Sequence, residues 1–189
     1  MNADLLVYQA KAFYNAYIAL DQLSRDDSDT LLLLFAPLVV NGAFSVELAL
    51  KAILAKNQIE YGKEHNLLIL FQMLPKSFQQ ELWAYLIEKA PEYAGSEKGL
   101  DELILLSNAF VDWRYAFEGK PVPAIESRFL AAFANAAIRT MFSHYNVDLV
   151  PSTQAEPDDE IKQKFRENRE LCKETNLRRI EKRNKEHHS

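Results

Sequence analysis

Two segments of the chain place charged side chains inside otherwise apolar helical patterns. One is residues 45–51, which carries Glu47 and Lys51, and the other is residues 110–115, which carries Arg114. An apolar helix rarely buries a charge unless that charge has a partner or a task. These three residues are therefore the first candidates for chemistry in the sequence.

Two arrangements of these charges fit the sequence. Glu47 and Lys51 stand four residues apart, in the order that favours an ion pair on an exposed helix face. Alternatively, Glu47 meets Arg114 across the fold, because the planar guanidinium suits a two-pronged contact with a carboxylate. The second arrangement would lock two helices together.

The elements that must position these residues are predicted to be helices. Of the 189 residues, 48% are hydrophobic and only 5 are Gly, while Ala, Leu, Glu and Lys are plentiful. This composition favours helix and is sufficient for one buried core. We expect an all-α helical bundle over residues 1–150, followed by a charged extension over residues 151–189.

Apolar periodicity and capping signals place the helices. Asp29 or Thr30 is expected to cap the second helix, and Pro37 either kinks this helix or marks its true first turn. A loop is expected at residues 61–66 and a polar connection at residues 91–99. The expected helices are residues 3–23, 30–57, 76–89, 100–118 and 124–145, with a short helix between residues 66 and 74.

The last two of these helices carry apolar stripes at helical spacing. In the helix over residues 100–118, the stripe is Leu103, Leu106, Phe110, Trp113 and Phe117. Its aromatic residues are expected in the core or at a dimer interface. In the final helix, the expected buried face is Leu130, Phe133, Ala134, Ala137, Ile138, Met141 and Phe142.

The extension differs from the bundle in its charge. Residues 161–185 hold ten basic and four acidic side chains, a net charge of +6. This segment is either a solvated helix or a disordered arm. Such an arm could contact phosphates or bind a protein partner.

Several classes of protein do not fit the sequence. The net charge of −5 argues against a uniformly basic nucleic-acid binder, although a local basic face stays open. The single cysteine, Cys172, forbids an internal disulfide and favours the cytoplasm. Residues 1–12 do not have the pattern of a signal peptide, and the apolar run at 31–40 is too short for a membrane span. The sequence contains no cluster of Cys, His and carboxylate residues, so we predict no metal or cofactor site.

Three motifs resemble HEPN domains by their order along residues 5–147. They are the Glu47-Leu-Ala-Leu-Lys51 helix, the loop with Gly62, His65 and Leu67, and the Trp113-Arg114-Tyr115 segment. The resemblance implies a small helical bundle, usually dimeric, in a family that includes many RNA-cleaving toxins and defence nucleases. It suggests binding or structural roles for Glu47, Lys51, His65, Arg114 and Tyr115. We expect His65 to steady its loop, with a ligand role as the alternative.

The family's active site is an arginine followed after four to six residues by a histidine, brought together at the dimer interface. There a ribose 2′-hydroxyl attacks the adjacent phosphate, while the arginine stabilises negative charge and the histidine handles protons. Arg114 matches the family arginine by its order in the chain. However, Gly119, Lys120 and Pro121 stand where the histidine is required. This alignment implies that the catalytic pair is broken.

A second arginine and histidine satisfy the spacing literally. They are Arg139 and His144, and the adjacent Tyr145 resembles the tyrosine near the motif of HEPN toxins. On an uninterrupted helix, side chains five residues apart point about 140° from each other. The pair could then share a site only if the helix ends between them or another subunit completes it.

Three functions remain open, of which we prefer the first. It is a non-catalytic HEPN-like module that binds RNA, a nucleotide or a protein, as a cytoplasmic homodimer without cofactor or metal, in bacterial defence or a toxin–antitoxin pair. The second is a metal-independent endoribonuclease that uses Arg139 and His144 across a dimer. The third is a structural accessory subunit whose extension contacts another protein.

Overall fold

The computed structural model describes residues 3–24, 28–94, 97–114, 124–145 and 163, with the backbone alone for residues 28–33. Within these residues the fold is all-α, as expected, and contains no strand. Its helices are α1 (Ala3–Ser24), α2 (Ser28–Lys56), α3 (Leu67–Met73), α4 (Lys76–Lys89), α5 (Glu97–Leu106), α6 (Ala109–Arg114) and α7 (Ser127–His144), with a 3₁₀ turn at Pro91–Tyr93. The expected extension lies outside this part of the chain except for Gln163, so the division at residue 150 stays a prediction.

Helix α2 is the centre of the bundle and packs against α1, α3, α6 and α7. The stretch Leu34–Lys56 is long and apolar enough to cross a membrane, but 78% of its most apolar window is buried inside the protein. That burial fits the expected core helix, since the surface that would face lipid already faces neighbouring helices.

The start of α2 differs from the prediction. The helix begins at Ser28, so Asp29 and Thr30 lie within it and neither is its cap. Pro37 lies in the helix interior, which makes the alternative of a first-turn proline wrong. The carbonyl of Pro37 accepts a hydrogen bond from Asn41 Nδ2 at 2.7 Å.

The single helix expected over residues 100–118 is wrong, because α5 ends and α6 begins within it. At the break, the Ser107 carbonyl accepts a hydrogen bond from the Leu67 amide at 2.8 Å. Asn108 Oδ1 accepts another from Asn66 Nδ2 at 3.1 Å. These contacts with the start of α3 divert the backbone from a continuous helix. The other end also differs, since α5 begins inside the connection expected at residues 91–99.

Helix α7 presents the expected apolar face to the core. It begins three residues later than residue 124 and ends within one residue of the prediction. Six of the seven expected residues are buried, and Phe142 is half-buried at the margin. Phe129, Ala132, Ala136 and Thr140 are buried as well, so the helix packs over a wider arc than the predicted stripe.

A Schellman motif ends α2 and starts the loop that follows. The amides of Gln58 and Ile59 donate to the carbonyls of Ala55 at 3.1 Å and Leu54 at 2.9 Å, respectively. Gln58 has a φ of +59°, in the left-handed region that side chains with a Cβ rarely adopt. The turn therefore holds Gln58 in a conformation that suits glycine better.

Replacing Gln58 with Gly should raise the free energy of unfolding by about 0.5–1 kcal/mol, measured by urea denaturation. Glycine has no Cβ penalty at positive φ, although its freedom in the unfolded chain offsets part of the gain. Gln58→Ala keeps the Cβ and should bring no such gain. A Gly variant less stable than the wild type would contradict the assigned turn.

Candidate functional site

The carboxylate of Glu47 lies in the core of the bundle and is only 1% exposed. Its Oε1 accepts a hydrogen bond from Lys51 Nζ at 2.7 Å, within α2. The same oxygen lies 2.9 Å from Nδ1 of His65, in the loop after α2. The pair with i,i+4 spacing is thus formed, but in the interior and not on the exposed face that such spacing usually occupies.

Hydrogen bonds within the loop before α3 hold His65 beside this carboxylate. Glu64 Oε1 accepts hydrogen bonds from the amides of His65 at 2.8 Å and Asn66 at 2.7 Å. The bond from the Asn66 amide is the main reason that the pKa of Glu64 lies below its usual value. Asn66 in turn caps α3, because its side chain accepts from the Ile69 amide at 3.0 Å. These contacts fix the backbone of the loop beside Glu47, and the role of His65 in steadying it stays a prediction.

Tyr61 lies beside Lys51 in the cluster around Glu47. Lys51 Nζ lies 5.5 Å from the centre of the Tyr61 ring. Burial of the Tyr61 hydroxyl and the nearby Glu47 charge both raise the pKa of Tyr61. Glu47 Oε2 is buried and makes no hydrogen bond to the described protein atoms, so this carboxylate relies on Lys51 and His65 for its stabilisation.

Arg139 and His144 lie on α7 and both contact α4 of the same chain. Arg139 Nη1 binds Glu88 Oε1 at 2.9 Å, and its guanidinium lies 4.0 Å from the centre of the Tyr85 ring. His144 Nε2 lies 2.5 Å from Glu81 Oε2. Because each residue has its own carboxylate, the structure does not bring the arginine and the histidine onto a shared partner.

The two glutamates of α4 carry negative charge at neutral pH. The hydrogen bond from Arg139 holds the pKa of Glu88 below its usual value. Burial of Glu81 works to raise its pKa, but hydrogen bonds from Ser143 and His144 outweigh it, and the pKa is lowered. An anion that approached Arg139 or His144 would therefore meet an ionised carboxylate at each.

Residues 38–128 match the family model of the HEPN domain. Over these residues the chain is HEPN-like. The match includes the buried cluster around Glu47 and ends at Arg128, near the start of α7. It is narrower than the expected resemblance over residues 5–147 and does not include Arg139 or His144. No curated protein and no solved structure matches the chain.

Arg114 is not the partner of Glu47, so that prediction is wrong. Lys51 and His65 occupy the Glu47 carboxylate instead. Arg114 is exposed at the end of α6, and its guanidinium lies 4.9 Å from the centre of the Phe110 ring.

The aromatic residues of α6 face α2. Phe110 stacks on Phe44 with ring centres 4.3 Å apart. Trp113 meets Phe35 edge to face at 5.1 Å. Helix α6 thus contributes aromatic rings to its contact with the central helix. Tyr115, Phe117 and residues 119–123 lie outside the described part of the chain.

The glutamates that bind Arg139 and His144 were not predicted from the sequence. Glu81, Tyr85 and Glu88 recur at spacings of four and three residues and form one stripe of α4. The sequence did contain a signal for this pairing. Two glutamates lie on one face of α4, and an arginine and a histidine lie on α7, so their opposite charges could have been matched. Among the described residues, no group of three or more His, Cys, Asp or Glu could hold a metal ion; Cys172 lies outside that part.

Glu47→Leu should lower the free energy of unfolding by about 3–5 kcal/mol, because it leaves the Lys51 ammonium buried without its carboxylate. The double variant Glu47→Leu/Lys51→Met removes both charges and should recover to within about 1.5 kcal/mol of the wild type. Urea denaturation of both variants checks this coupling. Equal losses in the single and double variants would show that the two charges do not depend on each other.

Proposed function

We propose that this protein is a non-catalytic HEPN binding module that recognises RNA or a nucleotide. It acts as a cytoplasmic homodimer in a bacterial defence or toxin–antitoxin setting. The observation that carries the proposal is the engagement of Arg139 with Glu88 and of His144 with Glu81. The HEPN domain supports the coarser assignment to a family of nucleotide- and RNA-related modules.

The chemistry of RNA cleavage explains why these ion pairs matter. Without a metal, the reaction needs a cation at the phosphate and a histidine nitrogen able to exchange a proton with the ribose hydroxyl or the leaving oxygen. Arg139 directs its guanidinium to Glu88, and Nε2 of His144 is engaged by Glu81. A phosphate would have to displace or lie beside both carboxylates. At Arg114, the residues that follow supply no histidine.

The second candidate remains an endoribonuclease that uses Arg139 and His144 across a dimer. One observation favours it: the side chains of these residues are 37% and 43% exposed, so another molecule could reach them. For this function, the two ion pairs would have to open when RNA binds.

Purified protein mixed with RNA of varied sequence in EDTA should leave the RNA intact. The same result is expected for His144→Ala and Arg114→Ala, because neither residue is proposed to act on the phosphodiester. Gel electrophoresis of the RNA over several hours checks this. Cleavage by the wild type that His144→Ala abolishes would contradict the proposal and identify an active ribonuclease.

Residues 161–185, the basic part of the charged extension, supply the sequence-independent part of RNA affinity in this proposal. Within residues 161–185, ten basic side chains outnumber four acidic ones. Cations of this kind displace counterions from phosphates, so binding should weaken steeply as salt is raised. The extension also offers a site for a protein partner, which is the remaining alternative for its role.

Replacing Lys162, Lys164, Arg166 and Arg169 with Gln in the full chain should weaken RNA binding and reduce its dependence on salt. If all four contact phosphates, the slope of log K against log salt falls by about 3 for single-stranded RNA. Fluorescence anisotropy at several salt concentrations measures it. Deletion of residues 151–189 should act in the same direction, and unchanged affinity in both variants would exclude the extension as an RNA contact.

A further inference from the structure

Three glutamates lie near the hydroxyl of Tyr93, where the 3₁₀ turn, α5 and the start of α7 meet. Tyr93 is fully buried, and its hydroxyl makes no hydrogen bond of normal geometry to the described protein atoms. Burial raises the pKa of this hydroxyl, and the charges of the three glutamates raise it further. We call Glu92, Tyr93, Glu102 and Glu126 the Tyr93 cluster.

The carboxylates of the Tyr93 cluster carry more charge than the cations beside them compensate. Arg128 pairs with Glu92, and Lys98 Nζ lies 3.8 Å from Glu126 Oε2. Burial and the charge of Glu126 raise the pKa of Glu102, and these effects outweigh the opposite effect of Lys98. A further cation at the cluster would therefore reduce the repulsion between carboxylates.

Lys98 marks the place that such a cation can occupy. Its Nζ lies near the Glu126 carboxylate and 4.9 Å from the centre of the Tyr93 ring. The distance of 3.8 Å to Glu126 is longer than a hydrogen bond, and the Lys98 side chain is 52% exposed. Glu126 is not committed elsewhere in α7, because it is the N-cap residue but makes no side-chain capping hydrogen bond. The contact with Lys98 is therefore weak enough to be exchanged for a stronger one.

We infer that the Tyr93 cluster binds the guanidinium group of an arginine in a basic segment of another protein. A planar guanidinium donates parallel hydrogen bonds to carboxylates and also lies against aromatic rings, which suits this combination of groups better than an ammonium does. Glu102 and Glu126 accept these hydrogen bonds, and the Tyr93 ring exchanges Lys98 for the arginine in its cation–π contact. The Tyr93 hydroxyl is a further acceptor.

The surface beside the cluster favours a protein segment over a free small cation. Glu97, Leu100, Asp101 and Ile104 are all exposed on α5, and their spacing places them on one side of the helix. Acidic and apolar side chains together can contact the basic and apolar residues that flank an arginine in a protein. This surface takes no part in the proposed RNA binding, so the inference stands or falls separately from that function.

Fluorescence anisotropy of a labelled arginine nonapeptide, titrated with the full chain, tests the carboxylates. Glu102→Gln and Glu126→Gln should each weaken binding about fivefold. Glu60→Gln is the matched control, because it makes the same change at an exposed glutamate in the loop after α2 and should leave the affinity nearly unchanged. Urea denaturation of each variant separates lost binding from lost folding.

The lysine that occupies the site provides a test in the opposite direction. Lys98→Gln should tighten binding of the arginine nonapeptide about threefold, because it removes the competing cation. Lys63→Gln loses the same charge from an exposed position in the loop after α2 and should have a smaller effect. A lysine nonapeptide should bind the wild type more weakly than the arginine nonapeptide.

Three results would overturn the inference. They are a wild type without affinity for the arginine nonapeptide, glutamate variants that bind as tightly as Glu60→Gln, and equal effects of Lys98→Gln and Lys63→Gln. Displacement of the peptide by an equal concentration of spermidine would also overturn it, because the cluster would then be a site for a free polyamine.

Discussion

The carboxylate of Glu47 is the charge that the rest of the site is built around. It lies on the central helix at 1% exposure, where an uncompensated charge would cost several kcal/mol. Lys51 supplies a cation from the same helix, and His65 supplies a ring nitrogen from the following loop. Because the second contact comes from the loop, compensation of a core charge also determines where that loop lies.

The position of the loop then determines where α3 starts and how the junction between α5 and α6 is held. Asn66 caps α3 beside His65, and the Leu67 amide binds the Ser107 carbonyl. This contact lies where α5 ends and α6 begins, so the loop joins the central helix to the segment that carries Arg114. The segments that resemble HEPN motifs are separate in sequence but are thus connected through hydrogen bonds, with Arg114 at the surface.

Some helix bounds and buried helix faces could be predicted from the sequence, because they depend on local residue patterns. The bounds of α4 and the buried face of α7 follow from apolar spacing, and Pro75 and Pro91 flank α4. The i,i+4 spacing of Glu47 and Lys51 predicted their contact, although not its burial. The features that were missed depend on residues far apart in the chain.

The break after α5 illustrates this limit. It forms where Ser107 and Asn108 meet residues at the start of α3, and no glycine or proline marks it locally. The pairing of Arg139 with Glu88 also requires the packing of α4 on α7 to be known. For the same reason, Glu47 had two plausible cationic partners in sequence, and only the fold distinguishes them.

The most direct measurement is a histidine-ring NMR titration with RNA that carries 2′-deoxy substitutions, which can bind but cannot be cleaved. Long-range ¹H–¹⁵N correlations report the protonation and hydrogen bonding of the His144 ring. RNA should bind while the His144 ring signals stay unchanged, since Nε2 remains with Glu81. A large shift of those signals on RNA binding would contradict it, because His144 would then have exchanged its carboxylate for the phosphodiester.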